Sequence, residues 1–582
     1  MVPEIEAEHE IAVREYRGLK RLVLCALVVS CAVCLSMNLA DPDLWGHVRF
    51  GQDLLADGSL PTTATHTFTA VYHRWINHEN LAEILFAAVF AVGGDQGLLI
   101  FKCLWGLAVL GLMAWIARRH GLPWLAIGAF VLLIASNLAA FFPVRPQLLS
   151  YMCLAWVLVA LELAFANWSA WLTSDSTARP PRQMWWLAAL PPIVVVWTNS
   201  HGAWAAGVAI IGAYLAGRIG EAIWYRRHRA WGAIAALAAC GVCVVLATLV
   251  NPYGYELHTW MLGSLGSPRP EITEWDPPKL TDPVFVPLVL LVLAAVGSLA
   301  ATRQRRDWVH VAVLALVFWQ ACEHVRHISL LSILAGFWLP AHFYSAVGRL
   351  RPDTTDRPTV RLARVVRWAA ALGVSVAIAL QSSVLCLRTA QLPVYRHMYP
   401  VDAITFMTEH GMTGRLVVSF NWAQYALAAL APDVQVSFDG RFRTCYPQEV
   451  IDRNFDFLLG ENNGRRFRSP ASGPIDGRRV LDDGAPNLVL VDRHYEHATK
   501  IMAEQAAAAD PEWTLLYQDA IAQLWGRRAE FDNPNHPHYL AADKRMISDH
   551  LSKTAVAWPA LPARQPTSEH AQAPNPTATP QL

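Results

Sequence analysis

Two aspartates flank a single proline at Asp41-Pro42-Asp43, and His47 follows four residues later. Proline fixes a tight turn there, so both carboxylates can point near one site. A carboxylate pair so placed can take a proton from an acceptor hydroxyl, or anchor a metal that does related work. Asp43 and His47 are the candidate ligands for a divalent cation, although no tight ligand spacing marks them as one. Glu79 offers a third carboxylate beside His78, to act as a second acid or to pair with an arginine. Arg145, Arg326 and His324 have the chemistry to hold a phosphate leaving group. Taken together, these residue types fit group transfer from a phosphate-bearing donor to a hydroxyl.

The elements that must position them are apolar. Of 582 residues, 54% are hydrophobic and 16% charged, and 24 are tryptophan. The mean hydropathy is +0.27. That balance fits a polytopic α-helical membrane protein, with Trp enriched at the interfaces. A net charge of +1 gives no sign of a nucleic-acid partner. All the cysteines except Cys445 lie in or beside apolar segments, without metal-ligand spacing, so they read as fillers rather than a disulfide framework.

Apolar runs at 22–40, 96–117, 122–142, 148–166, 185–199, 203–223, 231–250, 283–301, 308–322, 328–342 and 364–387 predict about eleven crossings. The run 22–40 is long for a signal sequence and reads as an uncleaved first span. Residues 81–92 are apolar but short, and read as a re-entrant or interfacial helix or as part of the next span. Arginine clusters around Arg17, Arg118, Arg179, Arg182, Arg226, Arg303, Arg351, Arg361 and Arg367 then all fall on one side, which the positive-inside rule makes the cytoplasm. The expected organisation is a cytoplasmic segment 1–21, a membrane module 22–387 with an outer loop 41–80, a small extracytoplasmic α/β domain 388–552 and a disordered tail 553–582. Strands are expected at "GRLVVSF" and "NLVLVDR", helices at Ala403–His410, Trp422–Leu430 and Glu449–Leu459, and a long loop at 462–486.

With that orientation, Asp41, Asp43, His47, His78, Glu79, Arg145, Asn199, His201, Tyr253, Glu274, His324 and Arg326 all face outward from tight turns near the hydrocarbon edge. Intramembrane charges of this kind line a cavity or pair with one another. They would form one outer polar cavity, which a lipid phosphate could enter sideways from the bilayer. Plainer roles stand beside this one. Asp41 and Asp43 could cap a helix beginning near Leu44. Arg145 could snorkel, Asn199 and His201 could be interhelical hydrogen-bond glue, and Glu323–His327 could be an internal ion-pair network.

The stretch "DPDLWGHVRFGQDLLADGSLP…THTFTA…RWINHENLAEILF", with "VRPQLLSY", "VWTNSHGAW", "NPYGYEL", "EWDPP", "EHVRHISLL", "YPVDAITFM" and "FNWAQY…VSFDGR", resembles a family of bacterial GT-C type, glycosyltransferase-like membrane proteins. That family is distantly similar to protein O-mannosyltransferases and lipid A aminoarabinose transferases. The resemblance runs from residue 30 to about 525. It implies a GT-C-like fold, a polyprenyl-phosphate-linked sugar as donor, a glycan, lipid or protein acceptor, and a catalytic acid in the first outer loop, at Asp41 or Asp43. Members often read DPDLWWH; Gly46 stands at the second tryptophan, which removes a stacking surface. Within "SFDGR", Asp439 and Arg441 either help select the acceptor or form a strand-end turn with a local ion pair. The expected location is the bacterial inner membrane, with a membrane-protein partner possible in principle. A non-catalytic scaffold of the same fold is the main alternative. A transporter fits less well, because no internal repeat is visible and the polar residues cluster on one side.

Overall fold

Prolines and glycines decide where the long apolar runs break. The computed structural model describes residues 2–174, 180–279, 281–350, 364–461 and 466–563. Arg179, Arg351, Arg361 and the tail beyond 563 lie outside the described residues. The chain divides into two compact units: Met1–Leu60 with Ile76–Pro393 and Arg465–Phe467, and Pro61–Trp75 with the rest of the chain from Val394 onward.

The first unit is helical. Seven of its helices are long and apolar enough to cross a membrane: Arg17–Leu35, Asn80–Arg119, Trp124–Phe141, Gln147–Thr173, Trp204–Arg226, Pro283–Ala301 and Val365–Ala390. Val325–Trp338 and Pro340–Arg349 make an eighth if they count as one span; they meet at a 62° bend, where Pro340 denies the ladder a donor. Two more apolar segments, Trp231–Ala247 and Trp308–Glu323, form helices that are short for a crossing. The expected span 185–199 is not one α-helix. Arg182–Ala189 is a 3-10 helix, and Leu190–Thr198 restarts as α-helix with proline in its first turn. Pro191 and Pro192 lack N–H groups, which a first turn tolerates and a helix interior does not. Residues 81–92 run into the next span, but a break at Gly94 (φ 59°, ψ −150°) separates the two legs.

The helix Gln147–Thr173 is the most enclosed, with 83% of its apolar window buried, whereas Val365–Ala390 is peripheral with none. The peripheral helix is tied to the first by the Ser30 hydroxyl donating to Gln381 Oε1 (2.9 Å) and Arg388 donating to the Val33 carbonyl (3.1 Å). A short helix, Leu44–Asp57, buries Leu44, Trp45, His47, Val48, Phe50, Gly51 and Leu54. A Cβ on Gly51 would lie 2.1 Å from the Glu83 carbonyl oxygen and 2.9 Å from the Ala87 Cβ, so only glycine permits this approach. Gly51→Ala is expected to lower stability by about 1–3 kcal/mol, the cost of overpacking a tight contact, read as a lower unfolding midpoint in detergent.

The second unit is built on a six-stranded mixed sheet. In spatial order its strands are Val434–Val436, Gly414–Val418, Leu488–Asp492, Ala522–Arg527, Trp513–Gln518 and Met546–Ile547. The first three run parallel, with Leu416 opposite Val436 and Leu488. Leu488–Asp492 and Ala522–Arg527 are antiparallel, Leu490 opposite Leu524. Leu488–Val491 is buried throughout, as a central strand covered on both faces must be. Helices Val401–Glu409, Ala423–Leu430 and Gln448–Leu459 fall where the sequence predicts them. Residues 61–75 belong to this unit: Thr67 bridges Val436, and the Val436 amide donates to the His66 carbonyl (3.0 Å).

Candidate functional site

The first helix ends at Leu35, and the chain turns at Asp41. The Asp43 amide donates to Asp41 Oδ1 (3.0 Å), an Asx turn that leaves Asp41 Oδ2 for Arg145 Nε at 2.6 Å. Asp43 stands at the N-cap position of Leu44–Asp57, yet its side chain makes no capping bond. It turns instead to Arg145, whose Nη2 lies 3.1 Å from Asp43 Oδ2. Arg145 Nη1 is 2.7 Å from Glu274 Oε1. One guanidinium therefore collects three carboxylates that are distant in sequence. Burial pushes the Asp43 carboxyl up, against the pull of Arg145 and with help from Asp41, to about 6.

A second group adjoins it. Glu83, 3% exposed, accepts from Asn77 Nδ2 (2.6 Å) and lies 3.7 Å from His47 Nδ1. Burial opposes protonation of His47, but the Glu83, Glu79 and Asp43 carboxylates outweigh it and raise its pKa to about 8. Glu79 Oε1 lies 4.0 Å from His201 Nε2. Burial works to raise the Glu79 pKa, but His78, His47, His201 and Arg145 bring it below the ordinary range.

His201 has a defined tautomer. Trp197 Nε1 donates to Ser150 Oγ (2.7 Å), so the Ser150 hydroxyl is free to donate to His201 Nδ1 (2.8 Å), which the Ala203 amide also approaches at 3.3 Å. Nδ1 is thus the acceptor, and the ring proton sits on Nε2, facing Glu79. Burial, with Arg326, His78 and His47 nearby, lowers the His201 pKa to about 3 despite Glu79.

Arg326 is held differently. Its guanidinium carbon is 4.7 Å from the Trp275 ring centroid, and it makes no ion pair or side-chain hydrogen bond among the described residues. Glu274, Tyr151, Arg145 and Glu79 lie within its electrostatic reach. His324 Nδ1 donates to the Trp275 carbonyl (2.7 Å), and the Val325 amide donates to the Asp276 carbonyl (3.0 Å), which fixes this segment beside Glu274.

Asp41, Asp43, His47, Glu79, Arg145, His201, Glu274 and Arg326 therefore form one electrostatic cluster in the first unit. His78 packs 5.1 Å from Trp260 and donates to the Ile76 carbonyl (3.3 Å). Tyr253 and Asn199 act as fasteners. The Tyr253 hydroxyl accepts from the Asn77 amide (3.0 Å), while the Asn199 side chain donates to the Val195 and Val250 carbonyls (2.8 and 2.9 Å). Asp439 and Arg441 lie in the second unit, in a buried network. Asp439 accepts from Arg441 Nη2 (2.7 Å) and from the Tyr446 hydroxyl (2.6 Å), and Arg441 donates to the Thr65 carbonyl (2.7 Å). Arg441 holds the Asp439 pKa down against burial.

No protein-family model matches this chain, and no curated protein matches it. Among solved structures, it is similar to the Archaeoglobus fulgidus oligosaccharyltransferase tethered with an acceptor peptide containing the NVT sequon, at 13% identity and a TM-score of 0.48, over 84% of this chain and 70% of that one. The apo form of that oligosaccharyltransferase matches at 13% identity and 0.47, over 83% and 71%. ArnT from Cupriavidus metallidurans bound to undecaprenyl phosphate matches at 13% identity and 0.48, over 87% of this chain and 97% of that one.

Several participants are not evident from residue type. Glu83 and Asn77 orient His47 and Glu79, and Ser150 sets the His201 tautomer. Lys102, 1% exposed, donates to the carbonyls of Met37 and Phe142 (3.1 Å for the latter). Those carbonyls sit just before Asp41 and just before Arg145, so one ammonium anchors both loops that deliver the ion pair. Among the described residues, Asp43 and His47 belong to no group of three possible metal ligands. The one such group is Glu530, His536 and His538, in the second unit. The spacing His-Pro-His was its only mark in the sequence.

Proposed function

We propose that this protein is a membrane glycosyltransferase that moves a sugar from a polyprenyl-phosphate donor to an extracytoplasmic acceptor. The observation that carries the reading is a carboxylate tuned to about 6, Asp43, in one cluster with a guanidinium, Arg326, that makes no direct ion pair among the described residues. A base works best with its pKa near the working pH, and a guanidinium without a direct ion pair calls for an anion such as a phosphate. Asp43 takes the proton of the acceptor hydroxyl as its oxygen bonds to the sugar's anomeric carbon. The bond from that carbon to the phosphate oxygen breaks, and the electron pair leaves on the lipid phosphate, which Arg326 receives. Asp41 and Glu274 hold Arg145 in place, and His201 presents its Nε2–H to Glu79. A divalent cation is a further candidate for charge compensation in this cluster.

The fuller topology belongs to the same proposal. It has about eleven crossings, the N-terminus in the cytoplasm and the C-terminal domain outside, in a bacterial inner membrane. The sequence resemblance given above and the one-sided arginine clusters support it. The scaffold reading has one observation in its favour: Asp41, Asp43 and Glu274 are all engaged by Arg145, as in a purely structural latch.

The test is release of free polyprenyl phosphate from a labelled polyprenyl-phosphate sugar, in vesicles containing the purified protein and a panel of hydroxyl acceptors. Arg326→Gln is expected to lower kcat/KM by at least about tenfold, the worth of a charged hydrogen bond. Turnover that is unchanged in Arg326→Gln, or absent with every donor in the wild type, would favour the scaffold.

A further inference from the structure

Away from the membrane cluster, the second unit carries a set of side chains with another chemistry. Glu530, His536 and His538 each offer one ligand atom, and all these atoms lie within 4.8 Å of one another. We propose that they form a transition-metal site, suited to Zn²⁺, with two imidazoles and one carboxylate as ligands and a fourth position open to water.

The surrounding bonds favour ligands over an incidental ion pair. Glu530 Oε2 is 3.0 Å from His538 Nδ1, about the spacing of two ligands on one tetrahedral zinc. If Nδ1 binds the ion, the ring proton must sit on Nε2, and Nε2 has its acceptor ready: Thr413 Oγ1 at 3.0 Å. Metal-bound histidines commonly donate their other N–H in this way, which fixes tautomer and ring angle. Glu530 Oε2 also accepts from Asn487 Nδ2 (3.0 Å). Asn487 in turn accepts from the Arg415 amide (2.8 Å) and donates to the Thr413 carbonyl (3.0 Å). Both supporting residues thus stand at the roots of neighbouring sheet strands, on a rigid base.

His536 reaches the same point through a turn. Its amide donates to the Asn533 carbonyl (2.9 Å), and the Tyr539 amide donates to the His536 carbonyl (3.0 Å), with Pro537 stiffening the bend. The His538 amide approaches His536 Nδ1 at 3.2 Å; ligation through His536 Nε2 moves the ring proton to Nδ1 and gives up that contact. The His538 ring is stacked on Phe531, at 5.8 Å between centroids and 23° between planes. A small cavity of about 30 Å³, lined in part by His410, Phe531, His538 and Tyr539, borders the histidine, and all three ligand residues are partly exposed, which gives an ion a way in. Three protein ligands with an entry path are the pattern of an open zinc site rather than a closed structural one.

The experiment uses full-length protein in detergent, stripped with a chelator and titrated with Zn²⁺ or Co²⁺. The expected result is about one ion per chain, with the intense visible absorption of four-coordinate cobalt. His536→Ala and His538→Ala should each abolish binding, and Thr413→Val should weaken it about 10- to 100-fold, the usual cost of losing an outer-shell partner. His536→Ala alters only a surface turn, and circular dichroism checks that it folds. Asp43→Asn should keep the ion, which separates this site from the membrane cluster. No binding by wild type, binding that survives both histidine variants, or loss of the ion in Asp43→Asn would each overturn the proposal.

Discussion

Asp43→Asn should lower sugar transfer by about 10²- to 10⁴-fold while the protein stays folded, the range that a positioned general base contributes. Asparagine keeps an oxygen for Arg145 Nη2, so the ion-pair geometry survives while the base is lost. Asp41→Asn is a different experiment, because Asp41 forms the turn through Oδ1 and meets Arg145 through Oδ2. Its loss should act through position rather than proton transfer. The pH profile of the wild type follows from the same groups. Asp43 works deprotonated, so the rate should rise as pH passes about 6. His47 helps balance the carboxylates only when protonated, so the rate should fall as pH passes about 8. His47→Gln should flatten the alkaline limb and leave the acid limb in place. Stability should not follow this bell. Both folded pKa values are raised above their ordinary ranges, so each group's contribution is present at low pH and lost as pH rises, for Asp43 through about 6 and for His47 through about 8. A falling unfolding temperature across a pH range in which activity peaks would be the signature.

Arg145→Gln should be the most destabilising single change in the cluster. It leaves three carboxylates facing one another with no cation among them. Removing one partner of a buried ion pair costs about 3–5 kcal/mol, and the low end applies here because 22% of the Arg145 side chain and 39% of the Glu274 side chain remain exposed. Denaturant unfolding in detergent measures it. Adding Asp41→Asn and Glu274→Gln to Arg145→Gln should recover much of the loss, since neutral amides no longer repel. A triple variant no more stable than Arg145→Gln alone would mean that Arg145 acts through packing. Arg145→Lys should rescue little, because the three donors of an ammonium radiate from one nitrogen and lack the spread by which Nε, Nη1 and Nη2 each meet a different carboxylate.

Much of this cluster was legible because its members break apolar sequence at tight turns. Asp41, Arg145, His201 and Arg326 are conspicuous for that reason, and the need to pair charge near a membrane brings them together. The strands at 414–418 and 488–492 were legible too, as short apolar runs between turn residues. What stayed hidden depends on three-dimensional register. Lys102 looks like a stray charge in an apolar helix until its carbonyl partners are seen. Ser150 is one serine among many until Trp197 and His201 fall on either side of it. Residues 61–75 read as loop, and nothing local announces that they pair with a distant strand edge. Glu530, His536 and His538 escaped because an ordinary glutamate and a short histidine pair converge only once the turn at 533–539 is formed.

Gly94 combines φ 59° with ψ −150°, a backbone region that side-chain-bearing residues essentially cannot enter. The leg before it, starting at Asn80, is about 22 Å long, and the leg after it, ending at Arg119, about 37 Å, against a hydrocarbon slab of about 30 Å. Only the second leg can bridge the slab. The first, with Glu83 buried in its opening turn against Gly51 and Val92 exposed near its end, is a separate lever hinged at a backbone conformation that only glycine adopts readily. Bilayers with longer or shorter acyl chains would tilt the bridging leg; the joint would spare the first leg, while Lys102, carried on the bridging leg, would pass the tilt to the loops ahead of Asp41 and Arg145.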